Sequence, residues 1–311
     1  MADVCVFDPT PLVTVTTEVG ESGDDIHFHA GGQGLWVARM VAVLGVDAVL
    51  CTAVGGESGQ VLLTLLEREE VEVRTVDVEA ASGAYVHDRR SGEREEVAAA
   101  PPAPLGRHDA DELYGAALVS GLDCGTVVLT GPADRDAVEP DLYRRLAVDL
   151  VGNGATVVTD VAGDHLRAAL EPGLALVKVD ADQLAASGFS EGTGGAEVLD
   201  GIQRLHDEGA RQAVVTRGAD PTLALVDGRL LEVSAPELEP IDSRGSGDSF
   251  AAALAAIVAS GGTTEDALRL GAAAGALNVT RRGLGTGSRD EIRDLAPMVE
   301  ISERRLPTKQ V

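Results

Sequence analysis

The sequence predicts an α/β layer fold on a mostly parallel sheet, with a small second sheet protruding from it. Three observations carry this. Short apolar runs recur along the chain, as strands buried on both faces require. Helical stretches separate them, and that alternation is the pattern of a parallel sheet. Two stretches, 12–29 and 82–98, break the rhythm with a period of two.

In chain order, 4–7 reads as the first buried strand. Val13, Val15, Thr17 and Val19 then alternate as a half-exposed strand. Residues 34–44 are helical, with Leu35, Ala38, Met40, Val41 and Leu44 on an apolar side. A strand is expected at 48–54 and a leucine-rich helix at 61–69. The second half-exposed stretch carries Tyr85 and His87 and turns at Ser91-Gly92; Pro101, Pro102 and Pro104 mark the return to the body. Strands follow at 126–129, 156–159, 174–177 and 213–216, with helices at 109–120, 140–151, 163–170 and 196–208. The two half-exposed stretches are expected to pair as a small antiparallel sheet. No internal repeat is visible.

The chain has 311 residues, 44% of them hydrophobic, enough for one large domain or two smaller ones. Its 51 acidic residues against 25 basic ones give a formal net charge of -26. Such a surface repels phosphate backbones and anionic lipid, so nucleic-acid and membrane partners are disfavoured. Only Lys178 and Lys309 are lysines. No run approaches the roughly 18 apolar residues that span a bilayer, and no basic region precedes an apolar one at the N-terminus. Cys5, Cys51 and Cys124 lie far apart with no metal-binding spacing. A reduced, cytoplasmic protein is the expectation.

The most informative segment runs from Asp242 to Leu254. Gly245, Ser246 and Gly247 lead directly into an alanine-rich helix. Such a junction points free backbone N–H groups at one spot, which the helix dipole makes positive. That is an anion site suited to a phosphoryl group in transfer. Asp248, in the first turn, is placed to accept the proton of an attacking alcohol. A plain glycine-led helix with an acidic first turn would read the same way.

This segment resembles the C-terminal signature of the PfkB (ribokinase-like) carbohydrate kinases, and its Gly-Ser-Gly-Asp-Ser wording the branch of 1-phosphofructokinases and tagatose-6-phosphate kinases. Ala30-Gly-Gly-Gln-Gly-Leu-Trp-Val-Ala-Arg39 is similar to the N-terminal signature Gly-Gly-Lys-Gly-x-Asn-x-Ala. Val214-Val-Thr-Arg-Gly-Ala-Asp220 is similar to the strand and turn that approach the nucleotide, and Val177-Lys-Val-Asp-Ala-Asp-Gln-Leu184 to Lys-Pro-Asn-x-x-Glu-Leu. Order and spacing agree over nearly the whole chain.

The resemblance implies a ribokinase-like, three-layer α/β/α Rossmann-like body over 1–11, 30–75 and 103–311, and a β-sheet lid over 12–29 and 76–102. It implies Mg-ATP-dependent phosphorylation of a sugar-type hydroxyl and a homodimer paired through the lid. Asp248 is then the base, with Gly245, Ser246 and Gly247 as the anion hole. Lys178, Thr216, Gly218 and Asp220 lie near ATP, with the helix carrying Gly275 and Asn278 beside the adenine. Where the family has an acidic residue in the Lys178 segment this chain has Gln183, so magnesium is expected to rely on Asp180 or Asp182 through water, or to bind more weakly. A monovalent cation is expected, if anywhere, in the loop 282–288. Asp8, Leu12, Gly31, Gly32, Gln33, Trp36, Tyr85 and His87 surround the acceptor.

The departures from the family pattern fall almost entirely on that acceptor side. Members of the branch it most resembles read Asn-Pro-Ala-Leu-Asp where this chain reads Asp8-Pro-Thr-Pro-Leu12. The signature lysine is Gln33 and the signature asparagine is Trp36. Trp36 is either a core aromatic or a ring that stacks on a sugar or base. Arg244 is either exposed or within reach of a phosphate. Near the lid only His87, Arg89 and Arg90 offer charge to a sugar phosphate. A nucleoside kinase of the same fold, or a ligand-binding homologue with weak catalysis, is the alternative reading.

Overall fold

The computed structural model describes residues 2–281 and 285–304. Arg282, Gly283 and Leu284 of the candidate monovalent-cation loop, and Lys309, lie outside the described residues. The strands are β1 (Val4–Asp8), β2 (Leu12–Val19), β3 (Asp24–Gly31), β4 (Ala48–Gly55), β5 (Glu72–Val78), β6 (Gly83–Asp88), β7 (Glu95–Ala100), β8 (Thr126–Thr130), β9 (Thr156–Asp160), β10 (Leu176–Asp180), β11 (Ala213–Arg217), β12 (Asp220–Val226), β13 (Arg229–Ser234) and β14 (Glu300–Arg304). The helices are α1 (Gln33–Val43), α2 (Gly56–Leu66), α3 (Arg107–Cys124), α4 (Pro140–Gly152), α5 (Gly163–Ala169), α6 (Ala181–Ala186), α7 (Gly195–Asp207), α8 (Ser246–Ala259), α9 (Thr264–Val279) and α10 (Arg289–Leu295).

The large sheet has the order β14-β13-β12-β11-β10-β9-β8-β1-β4-β5. It is parallel from β11 to β5, and β12, β13 and β14 add an antiparallel margin. Successive residues of β1 feed opposite layers. Val4 and Val6 join the core under α1, α8 and α9; Cys5 and Phe7 join the core under α3, α4 and α5. That is the three-layer α/β/α arrangement the resemblance implies. The chain leaves β1 toward β4 and β5 on one side, then returns to build β8 to β11 on the other. The crevice beyond the carboxyl ends of β1 and β8 is therefore the topological switch point, where open α/β sheets bind ligands.

The small sheet has the order β3-β2-β6-β7. It is mixed rather than antiparallel, because β2 and β6 pair in parallel. Both strands leave from the same edge of the large sheet, after β1 and after β5, so they run in the same direction. The small sheet spans 12–31 and 83–100. Residues 76–78, expected in the lid, pair with β4 in the body.

Other boundaries also move. The helix expected at 61–69 is α2, which begins at Gly56 with φ +68, a left-handed turn straight out of β4. The strand expected at 174–177 is β10, shifted to Leu176–Asp180. On the other face, α8 buries Ala251 to Ala256 completely or nearly so. Glycines on α9 allow this close approach: a Cβ on Gly271 would lie 2.7 Å from the Phe250 ring, and one on Gly275 2.9 Å from Ser246 Oγ.

Candidate active site

At the switch point, β1, β8, β9 and β10 deliver Asp8, Gly131, Asp160 and Lys178 toward the start of α8. Gly245 caps α8 in the left-handed conformation, φ +75, with no side-chain cap. The amides of the first turn are therefore left open to an anion. Lys178 lies directly against them, since a Cβ on Gly247 would fall 2.7 Å from its Nζ. Gly275 and Asn278 of α9 back this turn. Asn278 Nδ2 donates to the Arg244 carbonyl at 2.6 Å, which fixes the residue before Gly245.

Lys178 Nζ donates to Asp160 Oδ2 at 2.7 Å, and both side chains are buried. Burial alone would lower Lys178, but the charges of Asp160 and Asp248 outweigh it and hold the ammonium protonated. Burial first, and then the Asp160 charge, push the Asp248 carboxyl up to about 7; Lys178 and Gln33 pull it down and Asp8 adds to the rise. A carboxylate must be ionised to accept a proton. With Asp248 in the role the resemblance implies, kcat/KM is expected to rise as the pH passes through about 7 and to level above it. A flat profile between pH 6 and 8 contradicts this placement of Asp248.

The remaining candidates are spread around this centre. Asp8 is buried and accepts from the Gly34 amide at 3.1 Å and the Thr10 amide at 3.2 Å. Burial raises its carboxyl to about 6 against those N–H groups. Gly31 and Gly32 join β3 to α1, and a side chain at Gly32 would strike the Asp8 carboxylate. Leu12 is buried where β2 meets Gly31 and Gly83. Trp36 is half-buried on α1, with Gly285 packed on its backbone. Thr216 aligns with Asp180 across β10 and β11. Gly218 and Asp220 stand on the exposed turn beyond it, where Asp220 ion-pairs with Arg217.

Asp180 caps α6. Its Oδ1 accepts from the Gln183 amide at 2.7 Å, while Gln183 Oε1 accepts from the Asp180 amide at 2.8 Å. Asp182 is exposed. Among the described residues no group of three or more His, Cys, Asp or Glu side chains is placed to hold a metal. Magnesium needs only one or two carboxylates beside phosphate oxygens and water. Asp180 fits that need with the oxygen its capping bond leaves over.

Further residues complete the picture, of which Asp160 and Arg94 are not singled out in the sequence. Asp160, the counter-ion of Lys178, falls one residue past the strand read at 156–159. Asp242 is held from two directions. Arg244 grips it through Nε at 2.9 Å, and Arg89, on the turn of the small sheet, reaches it at 2.9 Å. Half-buried Arg94 stands beside Arg89 and makes no ion pair among the described residues. His87 is buried with Nδ1 unpartnered; burial first, then Arg94 and Arg89, lower it to about 4.

A family model described as "pfkB family carbohydrate kinase" matches residues 1–291. The chain belongs to the PfkB family of carbohydrate kinases. This PfkB kinase is 28% identical over 268 residues to the ATP-dependent 6-phosphofructokinase isozyme 2 of Escherichia coli, covering 85% of this chain and 86% of that one. It is 25% identical over 276 residues to the 1-phosphofructokinase of Bacillus subtilis, covering 88% of each. The crystal structure of the Escherichia coli phosphofructokinase-2 in complex with potassium superposes with a TM-score of 0.84 at 25% identity, over 96% of this chain and 99% of that one. The protein is a sugar kinase, a phosphotransferase with a hydroxyl acceptor. No helix among its described residues is long and apolar enough to cross a membrane.

Proposed function

We propose that this PfkB kinase transfers the γ-phosphoryl group of ATP to a hydroxyl of a sugar phosphate, with Asp248 as general base. One observation carries the reading: a buried carboxylate stands in the first turn of a helix whose uncapped amides face a buried ammonium. The acceptor hydroxyl gives its proton to Asp248 as its oxygen bonds to phosphorus. The bond to the bridging oxygen breaks and ADP leaves. The amides around Gly245, Ser246 and Gly247, with Lys178, stabilise the charge on the transferring group. Magnesium, when bound, neutralises phosphate charge at Asp180. Thr216, Gly218 and Asp220 border the nucleotide, and Leu12, Trp36 and Tyr85 the acceptor. A monovalent cation, as in the potassium complex of the Escherichia coli relative, is compatible with this reading.

Two relatives carry phosphofructokinase names, which supports an anionic acceptor. Arg94 and His87 supply donors for its phosphate that the sequence left in doubt. A second copy of the chain is the proposed partner. Ile26 and Phe28 are more than half exposed on the small sheet, in rows continued by Thr17, Val15 and Val86.

The test is ATP consumption with panels of sugars, sugar phosphates and nucleosides. Turnover is expected with a sugar phosphate. Arg94→Ala is expected to raise its KM roughly 10- to 100-fold, the cost of one charge-assisted hydrogen bond. Turnover confined to nucleosides, or an unchanged KM in Arg94→Ala, contradicts the anionic acceptor.

A further inference from the structure

The small sheet stands on one side of the cleft and is tied to the other. Its strands β2 and β3 pack on α2, and β3 also on α1. From the turn after β6, Arg89 reaches the segment that enters α8, where its Nη2 donates to Asp242 Oδ2 at 2.9 Å. No other hydrogen bond or ion pair among the described residues joins the small sheet to a segment beyond residue 103. The two side chains are 20% and 11% exposed, so water and salt screen them less than a surface pair.

Asp242 passes this hold on to the anion turn. Its amide donates to the carbonyl of Val279, the last residue of α9, at 3.0 Å. Its Oδ1 accepts from the Arg244 amide at 3.2 Å and from Arg244 Nε at 2.9 Å, while Oδ2 accepts from Arg244 Nη2 as well as from Arg89. A carboxylate that bonds the amide two residues on fixes the backbone of a turn. The Arg244 carbonyl is fixed in turn by Asn278 Nδ2. Gly245 follows directly, with the left-handed φ that leaves the first-turn amides of α8 open. A continuous run of hydrogen bonds thus joins the small sheet to the residue before Gly245.

We propose that Arg89 is a positioning residue that clasps the small sheet over the cleft and, through Asp242, holds the turn that opens α8. Closure of the sheet and the shape of the anion turn are then coupled. Arg89 moves with the sheet, because its amide donates to the Thr17 carbonyl of β2 at 2.8 Å and its guanidinium pairs with Glu18 at 3.8 Å. The clasp can also open. Arg244 bonds both oxygens of Asp242, so withdrawal of Arg89 strands no buried charge. The consequence for turnover rests on the proposed role of the α8 turn; the tie itself does not.

Hydrogen exchange of the ligand-free protein, read by mass spectrometry, tests the coupling. Arg89→Met is expected to speed exchange about tenfold in the turn around residue 89 and equally in 242–247, with α4 within about twofold of wild type. Asp242→Asn keeps an oxygen for the Arg244 amide and loses the charge; it is expected to loosen the turn around residue 89 to the same degree. Arg89→Lys keeps the charge and is expected to fall between wild type and Arg89→Met. Exchange in 242–247 that stays within about twofold of wild type in Arg89→Met overturns the proposal. So does an equal rise in α4, which marks general destabilisation. In turnover, Arg89→Met is expected to lower kcat about tenfold with the KM for ATP within about threefold. Loosened exchange with an unchanged kcat would leave the clasp standing and count against the α8 turn as the phosphoryl site.

Discussion

Replacing Asp248 by Asn is expected to abolish phosphoryl transfer and, at alkaline pH, to stabilise the protein. Loss of a general base costs roughly 10²- to 10⁴-fold in rate. The stability gain follows from burial. Asp248 titrates near 7 in the fold, above the roughly 3.9 of an unfolded aspartate. A carboxyl raised in this way contributes its full stability below about pH 4 and loses it as the pH climbs through about 7. Above that, wild type carries a buried charge opposed by Asp160 and Asp8 and relieved in part by Lys178. Asparagine removes the charge and keeps the shape. The gain in Tm is expected to grow between pH 4 and pH 7 and to be flat above, worth about 1 to 3 kcal/mol at pH 8. Thermal melts at pH 4.5 and pH 8 check this; equal differences at the two values would contradict it.

Lys178→Met is expected to be severely destabilising and inactive. It strips the only close counter-charge among the described residues from Asp160, whose side chain is 0% exposed. An unpaired buried charge of this kind costs about 3 to 5 kcal/mol. The double variant Lys178→Met with Asp160→Leu removes both charges and is expected to recover most of that stability without recovering activity. Urea melts of the two single variants and the double variant give the coupling directly. A Lys178→Met variant that loses less than about 1 kcal/mol would show that the pair is not buried as described.

The parallel strands were legible because burial on both faces writes a plain apolar run into the sequence. The edges were not. β5 and β14 are largely exposed, and their alternation is diluted by charge. The start of α2 was hidden because Gly56-Glu-Ser-Gly59 reads as a loop, whereas Gly56 supplies the left-handed turn from strand to helix. The turn that carries Asp248 was legible because its glycines and its carboxylate are adjacent in sequence. Asp160 was not, because its partner Lys178 is 18 residues away on the neighbouring strand. The Arg89 tie to Asp242 spans 153 residues and leaves no local signal. Gln33 is placed near the acceptor by the resemblance of its glycine motif; its bond from the Gly131 amide follows only from where β8 ends.

The most direct measurement is a 31P NMR time course of wild type and Asp248→Asn with Mg-ATP and a panel of sugar phosphates. In wild type a new phosphate ester is expected to appear in step with ADP, while in Asp248→Asn neither should accumulate above the ATPase background. Ester formation by Asp248→Asn at the wild-type rate, or ADP accumulating in wild type without any new ester, would contradict phosphoryl transfer with Asp248 as the base.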